Sequence, residues 1–310
     1  RSDVCSSDLE GAAKLSMNTQ ILSAVINIIL DPFFIYDYGL GLGVAGASLA
    51  TVISVLVSLA VILYFYYFKS RRTYLAVRIR GYRFNRQISK DILSVGIPSS
   101  VSFFVISITS VFMNMILVNV GGLEGVAVFS TTWRIIQIFM VPLFAFSGGM
   151  VPVCAAAYGA KNPDKLSTAY SFAVKATAVI MIAFMVLAFF FSDSMVFIFT
   201  YSDTSAHLRP EMASALKWFG LFLPFAAWGF IAEGLFMALG MGVKSMITTL
   251  FRNVLQLPVC YALMLSSGTL TSMWIGVSAS EIVGSIIPGV WSLFVLATVR
   301  RALVPLKAGG

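Results

Sequence analysis

The chain has 310 residues, of which 59% are hydrophobic and 11% are charged, and its mean hydropathy is +0.92. Soluble domains carry about a quarter charged residues, so this composition excludes an ordinary soluble domain and indicates an integral membrane protein. The formal net charge of +8 does not indicate a nucleic-acid partner, because nearly all basic residues lie in short segments between apolar runs. With one histidine and no CxxC, the sequence favours neither a histidine-based metal site nor a disulfide framework.

The first nine residues, RSDVCSSDL, differ in character from the rest of the chain. They are polar, they lack an initiator Met, and they show neither the charged-then-apolar pattern of a signal peptide nor a helical period. The run Val-Cys-Ser-Ser-Asp-Leu looks like the in-frame translation of a common sequencing-library adapter. We therefore predict that residues 1–9 are not native and that the chain is a fragment without its natural N-terminus.

Eight apolar runs follow, each roughly long enough for a helix that crosses the hydrocarbon core of a bilayer. Pro32 is expected to end the first run and Gly121-Gly122 the third, while Pro142 and Pro152 predict kinks in the fourth. The predicted fold is an all-α integral membrane protein, a polytopic helical bundle of about eight transmembrane helices. These helices are predicted at residues 14–30, 44–68, 92–120, 126–158, 166–191, 211–239, 243–265 and 272–299.

The segment 69–90 is rich in Lys and Arg and has no acidic residue. A run of unpaired positive charges cannot enter the hydrocarbon core. Cytoplasmic loops are enriched in Lys and Arg, so we place this segment in the cytoplasm. Lys161, Lys165, Arg300 and Arg301 then fall on the same side of the membrane. Both ends of the chain are therefore predicted to be cytoplasmic.

The chain also contains a weak internal repeat. The helix–loop–helix pair at residues 30–54 can be laid against the pair at 257–281, which is typical of transporters built from parallel repeats. The last six helices would form one complete repeat, and the first two would be the end of an earlier one. The predicted organisation is non-native sequence at 1–9, two helices of a first lobe at 10–68, a basic cytoplasmic linker at 69–90, a six-helix second lobe at 91–301 and a cytoplasmic tail at 302–310.

Three ionisable residues within the predicted spans are candidate binding residues, because a charge at the membrane centre costs several kcal/mol unless it is paired or hydrated. Glu233 lies six residues from the inner end of its span, and Glu281 lies deeper in the last span. Each is either a carboxylate paired with a basic residue or a protonatable, cation-coordinating group. Lys175 lies near mid-membrane and is a potential partner of either glutamate.

Asn114 and Gln137 are candidate lining residues of a cavity, although buried amides in helix bundles mostly bond neighbouring helices. Arg252 is interpreted as an anchor at the inner face. No catalytic arrangement is recognisable, because the single histidine, His207, lies in a predicted outer loop and the sequence has no HExxH or DxD. We therefore predict that the protein is not an enzyme and uses no cofactor.

Five stretches of the sequence, in their order along the chain, resemble stretches of the MATE (multidrug and toxic compound extrusion) family of transporters. Two of them resemble the end of the first lobe of that family, and three resemble its second lobe. The resemblance extends over about residues 14–307. The matching stretches are 27–35 (NIILDPFFI), 43–51 (GVAGASLAT), 156–162 (AAYGAKN), 236–240 (FMALG) with Arg252-Asn253, and 274–281 (WIGVSASE).

The resemblance implies twelve helices in two six-helix lobes around a central cavity, of which this chain supplies helices five to twelve. It implies secondary active efflux, in which organic cations and amphiphiles leave in exchange for Na+ or H+ across the inner or plasma membrane. The family's first-helix carboxylate falls outside this chain, and residues 92–120 contain no acidic residue. The coupling ion, Na+ or H+, therefore stays open. We expect a monomer that contacts membrane lipid and no nucleic acid.

Two alternatives remain at this point. A lipid-linked precursor flippase of the same superfamily would share the two-lobe architecture, but its cavity should be more basic. A non-transporting membrane scaffold or enzyme is the alternative from another class, and a catalytic soluble domain elsewhere in its gene would favour it.

Overall fold

The computed structural model describes residues 2–37, 39–68, 86–201 and 203–303. Within these ranges the regular structure is entirely helical. The helices are α1 (Ser2–Ile35), α2 (Gly43–Phe68), α3 (Arg86–Gly159), α4 (Pro163–Phe190), α5 (Ser192–Phe197), α6 (Asp203–Ala206), α7 (Arg209–Ala238), α8 (Gly242–Ser267) and α9 (Leu270–Leu303).

The first helix is longer than its sequence suggested. Pro32 was expected to end it, but α1 continues to Ile35, and the backbone N–H of Tyr36 donates to Pro32 O at 3.2 Å. A proline removes only the hydrogen bond of its own nitrogen, so the helix can close one further turn. Residues 69–85 of the predicted linker lie outside the described residues, and residues 86–90 form the first turns of α3.

Helix α3 is two helices that meet at a sharp break. Gly122 has φ 61° and ψ −155°, a non-helical conformation that favours glycine, and it separates the segments 86–121 and 123–159. A Cβ placed on Gly125 would lie 3.3 Å from the carbonyl oxygen of Leu117. Residues eight apart along a straight helix lie about 12 Å apart, so the chain reverses at Gly122. The prediction that Gly121-Gly122 breaks this region is confirmed.

Six helices of the described part are long and apolar enough to cross a membrane. One of the six contains both segments of α3 and so covers two of the predicted spans. Helix α8, with 26 residues, has the required length but is not among them. The prediction of a polytopic helical membrane fold is confirmed. The six are Met17–Ile35, Gly43–Tyr64, Gly96–Gly159, Pro163–Phe190, Arg209–Ala238 and Leu270–Leu303.

The chain divides into two compact units, Arg1–Phe84 and Asn85–Gly310. The first unit is the antiparallel pair of α1 and α2, in which Ser58 Oγ donates to Thr19 O at 2.8 Å. In the second unit, α7 is packed against α3, α4 and α9 and carries more buried apolar side chains than any other described helix. The assignment of these units to two lobes of a transporter stays a prediction.

Small residues let α7 and α9 approach closely. A Cβ on Gly229 would lie 2.8 Å from Ser285 Cα, and one on Gly289 would clash with the ring of Trp228. Trp228 Nε1 also donates to the hydroxyl of Tyr170 on α4 at 3.2 Å. Helix packing in membranes relies on such close backbone contact and interhelical hydrogen bonds. These contacts fix the position of α7, the helix that carries Glu233.

Candidate functional site

The second unit contains a cavity of about 670 Å³ between α3, α7, α8 and α9, which we call the α7 cavity. This volume is in the range of sites for drug-sized molecules. Its wall is mainly apolar and aromatic, and its charged groups come from α7, α8 and α9. It is lined by Ser102, Phe103, Ile106, Trp133, Gln137, Met140, Val141, Phe144, Ser147, Val151, Phe222, Phe230, Glu233, Gly234, Met237, Ser245, Thr249, Arg252, Asn253 and Glu281.

Three charged side chains from three helices meet in this wall, and we call them the Glu–Arg–Glu cluster: Glu233, Arg252 and Glu281. Arg252 Nη1 lies 3.5 Å from Glu233 Oε1, and Arg252 Nε lies 3.8 Å from Glu281 Oε2. The side chains are only 7% (Arg252), 13% (Glu233) and 10% (Glu281) exposed. The guanidinium also lies over the ring of Phe230, 3.9 Å from its centroid. The arginine is thus held by two carboxylates and one aromatic face.

The cluster contains two carboxylates but one guanidinium, so its formal charge is −1 when all three groups are ionised. Burial of an unbalanced charge is costly in a low-dielectric interior. Within the described residues, neither Glu233 Oε1 nor Arg252 Nη1 has a hydrogen-bond partner, and their contact is an ion pair without hydrogen-bond geometry. One proton or one monovalent cation would bring the cluster to formal neutrality.

Gly284 on α9 makes room for Arg252 on α8. A Cβ at Gly284 would lie 2.7 Å from Arg252 Cγ and 3.0 Å from Arg252 Cα. Contacts this short force the helices or the arginine to move. The cluster therefore depends on a glycine that takes no part in its charge.

We expect Gly284→Ala to lower the free energy of unfolding by about 1–3 kcal/mol, the usual cost of overpacking. It should also displace Arg252 from at least one glutamate. Gly148→Ala is the matched control, because nothing lies within 4 Å of a Cβ at Gly148. Denaturation of both variants in detergent micelles would measure the difference. Equal stability of the two would contradict the close packing of α8 on α9.

One wall of the α7 cavity is formed by stacked aromatic rings. Trp133 lines the cavity, stacks on Phe129 with 5.8 Å between ring centroids, and meets Phe222 at 6.0 Å. Met140 and Met237 add flexible apolar surface. Rings held in this way offer a flat and polarisable face to a ligand. An organic cation with an apolar body fits both the aromatic wall and the negative charge of the fully ionised cluster.

The structure places the predicted site residues in different surroundings. Glu233, Glu281 and Gln137 line the α7 cavity. Asn114 lines a separate cavity of about 440 Å³ with Asn119. Lys175 is exposed, and within the described residues the ion-pair partner of both glutamates is Arg252. Whether any of these side chains binds an ion or substrate stays a prediction.

The interpretation of Arg252 as an inner-face anchor is wrong, because the residue is buried with 6% relative exposure. Two features of the sequence pointed to its true position. Arg252 lies well inside the predicted span 243–265, and two glutamates occur inside neighbouring predicted spans. One positive and two negative side chains inside the membrane are expected to pair, because each is costly alone.

The first unit contains a smaller polar group, Asn27, Asp31 and Thr51. The amide of Asn27 lies 3.5 Å from Asp31 Oδ1 and 3.3 Å from Thr51 Oγ1. With the amide turned over, its nitrogen donates to Asp31 Oδ2 at 3.3 Å and its oxygen accepts from the backbone N–H of Thr51 at 3.3 Å. Asp31 lies beyond the predicted span 14–30, but in the structure it is inside α1 and within the candidate span Met17–Ile35.

A family model described as MatE matches residues 98–262, just over half of the chain. The chain belongs to the MatE family. The resemblance drawn from the sequence is confirmed. The matched region contains α7, most of α8 and the greater part of α3, and therefore two members of the Glu–Arg–Glu cluster.

Relatives and solved structures agree with this membership. The chain is 27% identical over 266 residues to the multidrug export protein MepA of Staphylococcus aureus (strain bovine RF122 / ET3-1), covering 85% of this chain and 56% of that protein. It is 24% identical over 298 residues to MepA of Staphylococcus haemolyticus (strain JCSC1435), covering 96% and 63%. A crystal structure of MATE in complex with MaL6 superposes with a TM-score of 0.86 at 34% identity, covering 92% and 63%.

A MOP superfamily transporter from Pyrococcus furiosus, described as having a binding pocket of reversed polarity, superposes with a TM-score of 0.84 at 34% identity. That match covers 92% of this chain and 63% of the other. The MatE chain thus spans between about half and two thirds of the length of the proteins it resembles.

Proposed function

We propose that the protein is a secondary active transporter that exports organic cations and amphiphiles in exchange for Na+ or H+. The observation that carries this proposal is the α7 cavity, a drug-sized space with an aromatic wall and a buried cluster whose formal charge is −1 when all three groups are ionised. Membership of the MatE family and the multidrug export activity named for the MepA relatives support it.

The proposed mechanism is competition at the Glu–Arg–Glu cluster. A coupling ion near Glu233 and Glu281 neutralises the cluster, and an organic cation bound against Trp133 does the same. The two therefore exclude each other for electrostatic reasons, because either one alone balances the charge. Alternating access follows when the lobes of the complete transporter rock around the site.

A precursor flippase is the less favoured alternative, since its pyrophosphate substrate needs an excess of positive charge. Arg252 is the cation among the residues of the α7 cavity, and two carboxylates neutralise it. Phosphate binding there would require the release of both glutamates. The charge of the cavity favours a cationic substrate.

The proposal includes an orientation in the membrane. The protein would act as a monomer in the inner or plasma membrane, with both ends of this chain in the cytoplasm. The charge pattern supports this arrangement, because Lys161, Lys165, Arg300 and Arg301 would all lie on the cytoplasmic side.

Expression of the complete gene in an efflux-deficient host tests the function. We expect ethidium accumulation to fall when a Na+ or proton gradient is present, and dissipation of the coupling gradient should restore it. Imposing each gradient separately on membrane vesicles identifies the ion. A well-expressed protein that exports no cation under either gradient would contradict the proposal and favour the flippase.

A further inference from the structure

A second large cavity lies on another face of the second unit. It is a groove of about 830 Å³ between residues 145–153 of α3 and the first turns of α4, which we call the α3–α4 groove. Its walls include Phe146, Met150, Val153 and Phe172, and Phe172 is 66% exposed. The groove and the α7 cavity share no lining residue, although both are lined in part by α3.

The groove has the length of one leaflet of a bilayer. Along α4 it extends from Asn162 to Ala173, eleven residues that rise about 16 Å in a helix. Half of a hydrocarbon core of about 30 Å is nearly the same length. Gly149 opens the groove on the α3 side, because a Cβ there would meet nothing within 4 Å. An extended acyl chain fits this space.

The polar end of the groove has an excess of positive charge. Asp164 lies there, but Arg300 Nη2 donates to its Oδ1 at 3.0 Å and neutralises it. Lys165 also lines this end, is exposed, and forms no ion pair with another described residue. Lys161, shortly before Lys165 in the sequence, and Arg301, next to Arg300, are exposed as well. The unpaired charge among the residues that line this end is therefore that of Lys165.

An apolar groove with basic residues at one end matches a phospholipid in both polarity and sign. Basic pockets between transmembrane helices bind the head groups of anionic lipids. We propose that the α3–α4 groove binds one anionic phospholipid, with an acyl chain against Gly149 and its phosphate at Lys165. This site is independent of the proposed efflux, because it shares no polar residue with the Glu–Arg–Glu cluster.

Lipid retention by the purified protein tests the site. The protein is reconstituted in equal amounts of phosphatidylglycerol and phosphatidylcholine and extracted into mild detergent, and retained lipids are counted by native mass spectrometry. We expect retained phosphatidylglycerol to exceed phosphatidylcholine, and Lys165→Gln to reduce that ratio about fivefold, the effect of one lysine near an anionic lipid. Gly149→Leu should reduce retention of both lipids by filling the groove.

Two matched controls are available. Gly148→Leu adds the same side chain at a neighbouring position where a Cβ also meets nothing within 4 Å, but this residue does not line the groove. Lys175→Gln removes another exposed lysine of α4 that is absent from the groove. Both variants should retain lipid as the unmodified protein does. Leucine also favours helix more than glycine does, and far-ultraviolet circular dichroism checks that each variant folds.

Three outcomes would overturn the proposal. Equal retention of the two lipids by the unmodified protein would remove the role of charge at Lys165. Equal effects of Gly149→Leu and Gly148→Leu would remove the groove as the site. A dimer that Gly149→Leu alone dissociates would assign the groove to a second copy of the chain.

Discussion

Replacement of Arg252 by Met is expected to destabilise the protein by about 3–5 kcal/mol, the usual cost of removing one partner from a buried ion pair. The two carboxylates of the Glu–Arg–Glu cluster would then face each other in the membrane without a counter-charge. The side chains are at most 13% exposed, so water cannot screen them effectively. Unfolding in mixed detergent micelles measures the loss.

Charge counting predicts the rest of this series. Glu233→Gln or Glu281→Gln leaves one carboxylate with one guanidinium, so either single variant should be as stable as the unmodified protein. Combining both with Arg252→Met removes all three charges and should recover much of the lost stability. Arg134→Met is the control, because Arg134 is an exposed arginine of the same unit. An equal loss of stability in Arg134→Met would show that the loss in Arg252→Met does not come from the ion pairs of the cluster.

Transport should respond to the same residues in the opposite order. If the coupling ion binds at the cluster, Glu233→Gln or Glu281→Gln should reduce gradient-driven ethidium efflux roughly tenfold or more, because a contact to a charged group contributes about 1.5–3 kcal/mol. The variants should still reach the membrane, since they are neutral and stable. Dye efflux with a Na+ gradient and then with a proton gradient measures the loss.

One control variant and one variant at an alternative site complete this experiment. Glu124→Gln changes a glutamate that is 68% exposed and pairs with His207 outside the cavity, and efflux should not change. Asp31→Asn tests the polar group of the first unit, whose carboxylate, amide and hydroxyl oxygens are also suited to a hard cation. Loss of coupling in Asp31→Asn with normal coupling in both glutamate variants would remove the cluster from the coupling mechanism.

The sequence predicted the helices because membrane spans are long, uniform in polarity and bounded by charge. It also predicted that Glu233 and Glu281 matter, because an intramembrane carboxylate needs a partner. It did not identify that partner, because Arg252 and Lys175 each lie inside a predicted span and either could pair with a glutamate. Only the packing of α8 against α7 and α9 distinguishes them, and that packing depends on where Gly284 falls on its helix.

The α3–α4 groove and the extension of α1 were not predicted for a related reason. Pro32 carries a strong local signal for a helix end, but one lost hydrogen bond is a small cost within a long apolar helix. Gly149 carries no local signal at all, because a glycine in a helix opens a groove only if the neighbouring helix leaves space beside it. Such features depend on tertiary structure.

Helix α8 has a consequence for how the protein is made. It is the one long helix of the described part that falls short of the apolarity of a membrane span, and Arg252 contributes to this deficit. An arginine at the centre of a helix disfavours its insertion by about 2.5–3.5 kcal/mol. The glutamates that compensate for it come from α7, which is synthesised earlier, and α9, which is synthesised later. We therefore expect stable insertion of α8 to depend on both neighbours, so that the three helices are retained in the bilayer as one group.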